Sequence, residues 1–214
     1  MNWTTLVAIV AALAWAVIVG LATPQAFSQV LINTVSPMMP NGQWAIAMAM
    51  LFADSPRGTV YKAGGIVRTA RHVSDHTKVV GLPGAVFRAL VTCSDIPTDS
   101  ATLETDAPLF DFLVGPAPRV GDIVIASGFR AGQYPPVIAS SRVSGVHEVL
   151  YAGEGPLENR IPIGPAFSFE FPANARGMSG GPVFSNNKVV GTIALTDDKQ
   201  IFAVPLDAAK CPAR

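Results

Sequence analysis

The sequence predicts an all-β protein behind an N-terminal hydrophobic helix, and three observations carry that expectation. Half of the residues are apolar and only 14% are charged, enough for a sizeable core and too few charges for disorder. Beyond Trp44, short runs rich in Val, Ile, Phe and Thr alternate with Gly, Pro, Asn and Asp turns about every ten residues. Long helical periodicity is absent after the uniformly apolar stretch from Leu6 to Ala22.

That first stretch, LVAIVAALAWAVIVGLA, contains no charge. It sits at the short edge of a spanning helix and exceeds the usual signal-peptide core. No Lys or Arg precedes Arg57, so flanking charge does not orient it. Residues 1–22 read as an uncleaved membrane anchor ahead of a cleaved signal, although Gly20-Leu21-Ala22 and Ala26-Phe27-Ser28 offer small-residue cleavage sites. Residues 23–43, with three prolines, read as a linker.

Strand candidates then follow in order: AIAMAMLF (45–52), GTVYKA (58–63), GIVRTA (65–70), KVVGL (78–82), VFRALVTC (86–93) and ATLET (101–105). After the turn-rich GPAPRVGD (115–122) come DIVIASGF (122–129), VIASSRVSGV (137–146), FSFEF (167–171), PVFSNN (182–187), KVVGTIAL (188–195) and QIFAVPL (200–206). Two groups of six strands suggest two small barrels or sandwiches, at 44–114 and 115–208, with a tail at 209–214. Fifteen basic residues balance fifteen acidic ones without a basic run, so a nucleic-acid role is not expected. Cys93 and Cys211 match no metal-ligand spacing and leave two readings open, one disulfide or two free thiols. No metal or other cofactor is expected.

The stretch NARGMSGGPVF (174–184) sets one serine among three glycines. Such a loop suits acyl transfer, which needs an activated hydroxyl and backbone N–H donors aimed at a developing oxyanion. A serine also needs a base, and the chain has three histidines. His72 closes the strand-like run GGIVRTARHV, while His76 and His147 read as surface or satisfied core residues.

GGIVRTARHV resembles the Thr-Ala-x-His segment of trypsin/chymotrypsin-like serine peptidases, and GMSGGPVF resembles their Gly-x-Ser-Gly-Gly-Pro segment. Between them, residues 97–129 resemble the stretch around the family's Asp-x-Ala-x-Leu motif. FAVP near the C-terminus is similar to the Phe-Ala-Ile-Pro of bacterial HtrA/Deg-type peptidases. The resemblance covers about residues 45–208 and implies two six-stranded antiparallel β-barrels of chymotrypsin type, without a PDZ domain. It implies Ser179 as nucleophile, His72 as general base and Asp99 as the orienting acid, with Asp111 as runner-up and Asp95 and Asp106 behind. It further implies an oxyanion hole from the Gly177 and Ser179 amides, and a substrate-binding wall from Ala194, Leu195 and Thr196, with Ala173 near the pocket base. With no carboxylate at that base, small or medium apolar side chains are the expected preference.

The function expected from these residues is a serine endopeptidase acting on polypeptides, membrane-anchored or exported to the cell envelope, periplasm or exterior. Two other readings stay open: a viral-type polyprotein protease of the same fold, at a host membrane, and a catalytically silent protease-like binding module. Two departures from the pattern bear on activity: Met178, where digestive members carry an aspartate, and Arg71, where a small residue usually precedes the histidine.

Overall fold

The computed structural model describes residues 48–52, 56–74, 79–82, 85–130, 136–152, 161–171, 174–197 and 199–211. The hydrophobic segment 1–22 and the linker 23–43 lie outside the described residues, as do His76 and Ala173. Among the described residues no helix is long and apolar enough to cross a membrane.

The first half holds β1 (Ala49–Phe52), β2 (Pro56–Ala63), β3 (Ile66–Ala70), the single helical turn α1 (Arg71–Ser74), β4 (Val79–Leu82), β5 (Ala85–Arg88), β6 (Leu90–Asp95), β7 (Ser100–Glu104) and β8 (Asp111–Phe112). They form one sheet in the order β5-β4-β1-β2-β3-β7-β6, with β8 pairing parallel to β2. Among the described residues no ladder joins the two ends of this sheet. VFRALVTC, read as one strand, is split at Ala89 into β5 and β6, which are the two edges of the sheet. The chain itself turns from one edge to the other, a device by which a bent strand switches direction without a ladder.

The second half holds β9 (Ile123–Gly128), β10 (Val137–His147), β11 (Leu150–Ala152), β12 (Ile161–Ile163), β13 (Ala166–Glu170), β14 (Pro182–Ser185), β15 (Lys188–Thr196) and β16 (Gln200–Pro205). Six of these close into a barrel, β10-β13-β16-β15-β14-β9, while β11 and β12 form a separate hairpin. That hairpin and the two-residue β8 have no counterpart among the strands expected from sequence, because runs of two or three residues carry no readable period.

Alternation explains why β9, β14 and β15 read as continuous apolar runs. Val124, Val183 and Val190 point into the barrel with Phe167, Phe169 and Ile201. Their neighbours Ile125, Phe184 and Val189 point the other way, into a second core shared with Met48, Tyr61, Phe112 and Leu206. These strands are buried on both faces, so the two halves are joined by apolar packing rather than by a loose linker. The Tyr61 hydroxyl also meets Thr192 Oγ1 at 2.6 Å across this junction.

Cys93 on β6 and Cys211 form a disulfide, with Cα atoms 5.6 Å apart. The free-thiol reading is thus set aside. Because the bridged residues are 118 apart in sequence, the cross-link restricts a long loop of the unfolded chain, an effect of about 2–5 kcal/mol.

Candidate active site

β3 ends at Ala70, and the chain enters α1, which carries His72. Four residues of turn, 96–99, separate β6 from β7 and end on Asp99. Asp99 adopts φ 47°, a left-handed conformation that aspartate tolerates better than most residues. The turn is held by its own bonds: Asp99 N–H donates to Ile96 O at 3.1 Å, and the Thr98 hydroxyl donates to Asp95 Oδ2.

This geometry aims Asp99 at α1 with both its backbone and its side chain. Arg71 N–H donates to Asp99 O at 2.7 Å, and His72 N–H donates to Oδ1 at 3.0 Å. The second carboxylate oxygen, Oδ2, accepts from His72 Nδ1 at 2.6 Å. An ionised carboxylate only accepts, so in the neutral imidazole Nδ1 carries the proton and Nε2 keeps its lone pair. Asp99 is 4% exposed, whereas the His72 side chain is 43% exposed. The imidazole is gripped from the buried side and open on the other.

The rival acids are placed elsewhere. Asp111 accepts from Gly65 N–H through both oxygens at 3.0 Å and pairs with Lys62 at 3.8 Å. Asp95 is engaged by Thr98. His147 meets Ser168 Oγ at 2.9 Å and packs edge-on against Phe202, which accounts for it as a structural residue.

The Ser179 loop is built from the barrel and seated on the first sheet. On the barrel side, Gly180 N–H donates to Ile193 O at 2.7 Å and Ile193 N–H donates to Gly181 O at 2.8 Å. Met178 is fully buried in the barrel core and anchors the loop from below. The residue that departs from the digestive pattern is therefore a core side chain turned away from the cleft. On the other side, Thr59 N–H donates to Ser179 O at 2.8 Å. Gly180 has φ 82°, and a Cβ there would collide with Thr59 O and Thr69 Oγ1; only glycine suits both demands. Thr69 Oγ1 in turn donates to Thr59 O at 2.8 Å. Ser179 is thus docked on the β2–β3 hairpin, the same hairpin whose end carries His72.

Gly177 adopts φ 90°. Among the described residues, neither the Gly177 nor the Ser179 amide donates to another group of the chain, although the intervening Met178 N–H donates to Ala175 O at 3.0 Å. Both residues are half-buried. Beside them, β14 pairs with β15 only as far as Pro182↔Thr192, where the chain leaves for the Ser179 loop. Leu195 and Thr196 keep β16 on one side and, among the described residues, no strand on the other. Ala194 is buried at a bulge in that pairing, while Leu195 and Thr196 are half-buried. Among the described residues no three His, Cys, Asp or Glu side chains are grouped to hold a metal ion.

A family model described as a trypsin-like peptidase domain matches residues 57–191. The chain belongs to the trypsin-like peptidase family. This peptidase is a serine protease by family, and solved structures agree on the fold. The Rv3671c protease of M. tuberculosis in its active form is 21% identical, with TM-score 0.58 over 75% of this chain and 74% of that one. The MamO protease domain of Magnetospirillum magneticum is 19% identical, with TM-score 0.58 over 75% and 92%. The HtrA-type protease AlgW, solved with a tripeptide, is 23% identical, with TM-score 0.58 over 76% and 57%. Comparison with curated protein sequences finds no significant match.

Sequence motifs brought forward Ser179, His72 and Asp99, but not the residues that register them. Thr59 and Thr69 on β2 and β3 and Ile193 on β15 hold the peptidase's Ser179 loop from its two sides, and Gly58 leaves room for it; of these four, Thr69 alone falls within a motif, as the threonine of Thr69-Ala-Arg-His72. Gly58, a glycine inside β2 among larger residues, is a further signal, since such a position marks a close approach of backbone.

Proposed function

We propose that this peptidase is an endopeptidase in which Ser179 attacks the scissile carbonyl and His72 Nε2 takes its proton. Asp99 holds the imidazole through Nδ1 and stabilises the imidazolium that forms. The amides of Gly177 and Ser179 receive the negative charge that develops on the carbonyl oxygen. Collapse of the tetrahedral intermediate transfers the proton from His72 to the leaving amine and leaves an acyl group on Ser179. Water then repeats the sequence with His72 as base, releasing the acid. The single observation that carries this reading is the 2.6 Å bond from His72 Nδ1 to the buried Asp99 carboxylate. A silent module has no need of a buried carboxylate that sets the tautomer of a half-exposed histidine.

Substrate binds, in this reading, as an added strand along the open side of Leu195 and Thr196, a mode that uses backbone bonds for affinity and side-chain pockets for choice. The preference proposed is for small or medium apolar residues before the scissile bond, in a pocket beside Ala194. The proposed setting is an oxidising one, at a membrane through residues 1–22 or outside the cytoplasm. The Cys93–Cys211 bridge supports it, since disulfides persist in such compartments.

Reaction with a fluorophosphonate probe tests the assignment. Labelling of the folded chain is expected, with none in Ser179→Ala; a folded wild type that resists the probe refutes an activated Ser179. Cleavage of a peptide library concentrated after Lys or Arg refutes the apolar preference.

A further inference from the structure

We propose that Leu113, Val114, Val120 and Ile123, with the cations Arg119, Arg142 and Lys188, form a face that seats the peptidase on an anionic lipid bilayer. This rests on the membrane setting proposed above and adds a second contact, made by the folded domain itself.

The apolar members are well exposed: Leu113 69%, Val114 43%, Val120 62% and Ile123 38%. Backbone contacts bring their segments together. Val114 bridges to Val189, and Gly115 N–H donates to Val189 O at 2.8 Å, beside Lys188. A Cβ on Gly115 would touch Lys188 Cβ at 3.0 Å. Ser185 Oγ, on the same β14–β15 hairpin, donates to Ile123 O at 3.0 Å. Ile123 stands opposite Arg142 in the β9–β10 ladder, so their side chains share a face. Arg142 Nη1 donates to Gly121 O at 3.0 Å, next to Val120. Exposed aliphatic side chains gathered in one place mark an interaction site on a soluble fold.

Charge selects the partner. Arg119, Arg142 and Lys188 are exposed on this face against one exposed carboxylate, Asp122, which accepts from Arg119 N–H at 2.8 Å. The neighbouring Lys62 and Asp111 are paired with each other. Excess cation around aliphatic groups suits an anionic bilayer surface.

Placement supports the same occupant. Met48, the first described residue, belongs to the same buried cluster as Phe112 and Val189, whose chain neighbours Leu113 and Lys188 belong to this face. A tether and a weak second contact reinforce each other without new strong bonds. Orientation follows from β9. Ile123 begins that strand and Gly128 ends it, and a Cβ on Gly128 would lie 3.0 Å from Met178, next to Ser179. The face and the candidate site therefore lie at opposite ends of a six-residue strand, roughly 16 Å apart at about 3.3 Å per residue. Seating on lipid turns the cleft away from the bilayer.

Hydrogen exchange of the full chain in phosphatidylcholine vesicles, with and without phosphatidylglycerol, tests the proposal. Amides of 113–123 are expected to exchange several-fold more slowly on anionic vesicles, with 86–95 unchanged. Leu113→Ser with Val120→Ser is expected to abolish that difference without altering turnover of a soluble peptide. Co-sedimentation with equal exchange at 113–123 overturns the face and leaves the anchor standing. Failure to co-sediment with either vesicle overturns both. Protection that follows protein concentration in the absence of lipid overturns the lipid assignment in favour of a second copy of the chain.

Discussion

Thr59 N–H donates to Ser179 O at 2.8 Å, and this bond joins the first sheet to the loop that carries the proposed nucleophile. A reacting serine and its base must be held within fractions of an ångström, and the proposed pair, Ser179 and His72, comes from opposite halves of the chain. The contact that registers them is a backbone one, so side-chain motifs do not display it.

Gly58 guards that contact. A Cβ at position 58 would lie 2.5 Å from Ser179 O and 3.0 Å from Val73 Cγ1. Gly58→Ala is expected to displace the loop, lowering stability by about 1–3 kcal/mol and kcat by more than the small change in KM. Thermal denaturation together with steady-state kinetics checks this; a variant with wild-type turnover would show the Thr59–Ser179 bond to be dispensable.

The acids separate by partner. Asp99→Asn keeps the shape but removes the charge that stabilises the imidazolium, and turnover is expected to fall by about 10⁴. Among the described residues the Asp111 carboxylate bonds Gly65 and Lys62 and not His72, so Asp111→Asn is expected to leave turnover near wild type. Equal losses in the two variants would contradict the assignment.

Met178 is a packing residue. Its side chain is fully buried with Val183, Val190 and Ile193, so Met178→Ala is expected to cost about 2–5 kcal/mol. Arg176→Ala, at an exposed neighbouring position, is expected to leave the unfolding midpoint unchanged. Chemical denaturation of both variants measures the contrast, and similar midpoints would remove Met178 from the core.

Tyr61 predicts an alkaline limit. Burial raises its pKa from 10.0 to about 12, against smaller lowering effects of the Thr192 hydrogen bond and Arg68. The neutral phenol is favoured in the folded state, so its contribution to stability is whole below pH 10 and is lost as pH rises towards about 12. Tyr61→Phe is expected to flatten the stability profile across that window, read by unfolding at stepped pH. A profile that falls as steeply in the variant as in the wild type would place the alkaline loss on another group.

Twelve strand candidates were legible because most strands carry four or more residues of clear alternation or unbroken apolar character. β8, β11 and β12 were not, being two or three residues long. The bend at Ala89 was hidden as well, because VFRALVTC keeps one apolar character through it, and only pairing on both sides divides it into β5 and β6. Cys93 and Cys211 posed a similar problem: 118 residues of sequence separate them, and spacing alone carries no information on whether they meet.

By itself the sequence determined the all-β class, the local loops that carry Ser179, His72 and Asp99, and their order along the chain. These rest on local chemistry: turn residues, apolar period and the glycines around a hydroxyl. Tertiary structure alone decided that Asp99, not Asp111, bonds His72, and that Met178 faces the core. It also decided that Thr59 and Ile193 clamp the Ser179 loop between the two halves. Each is a contact between distant segments, set by which strands pair and in what register, and no local pattern of residue types encodes that choice.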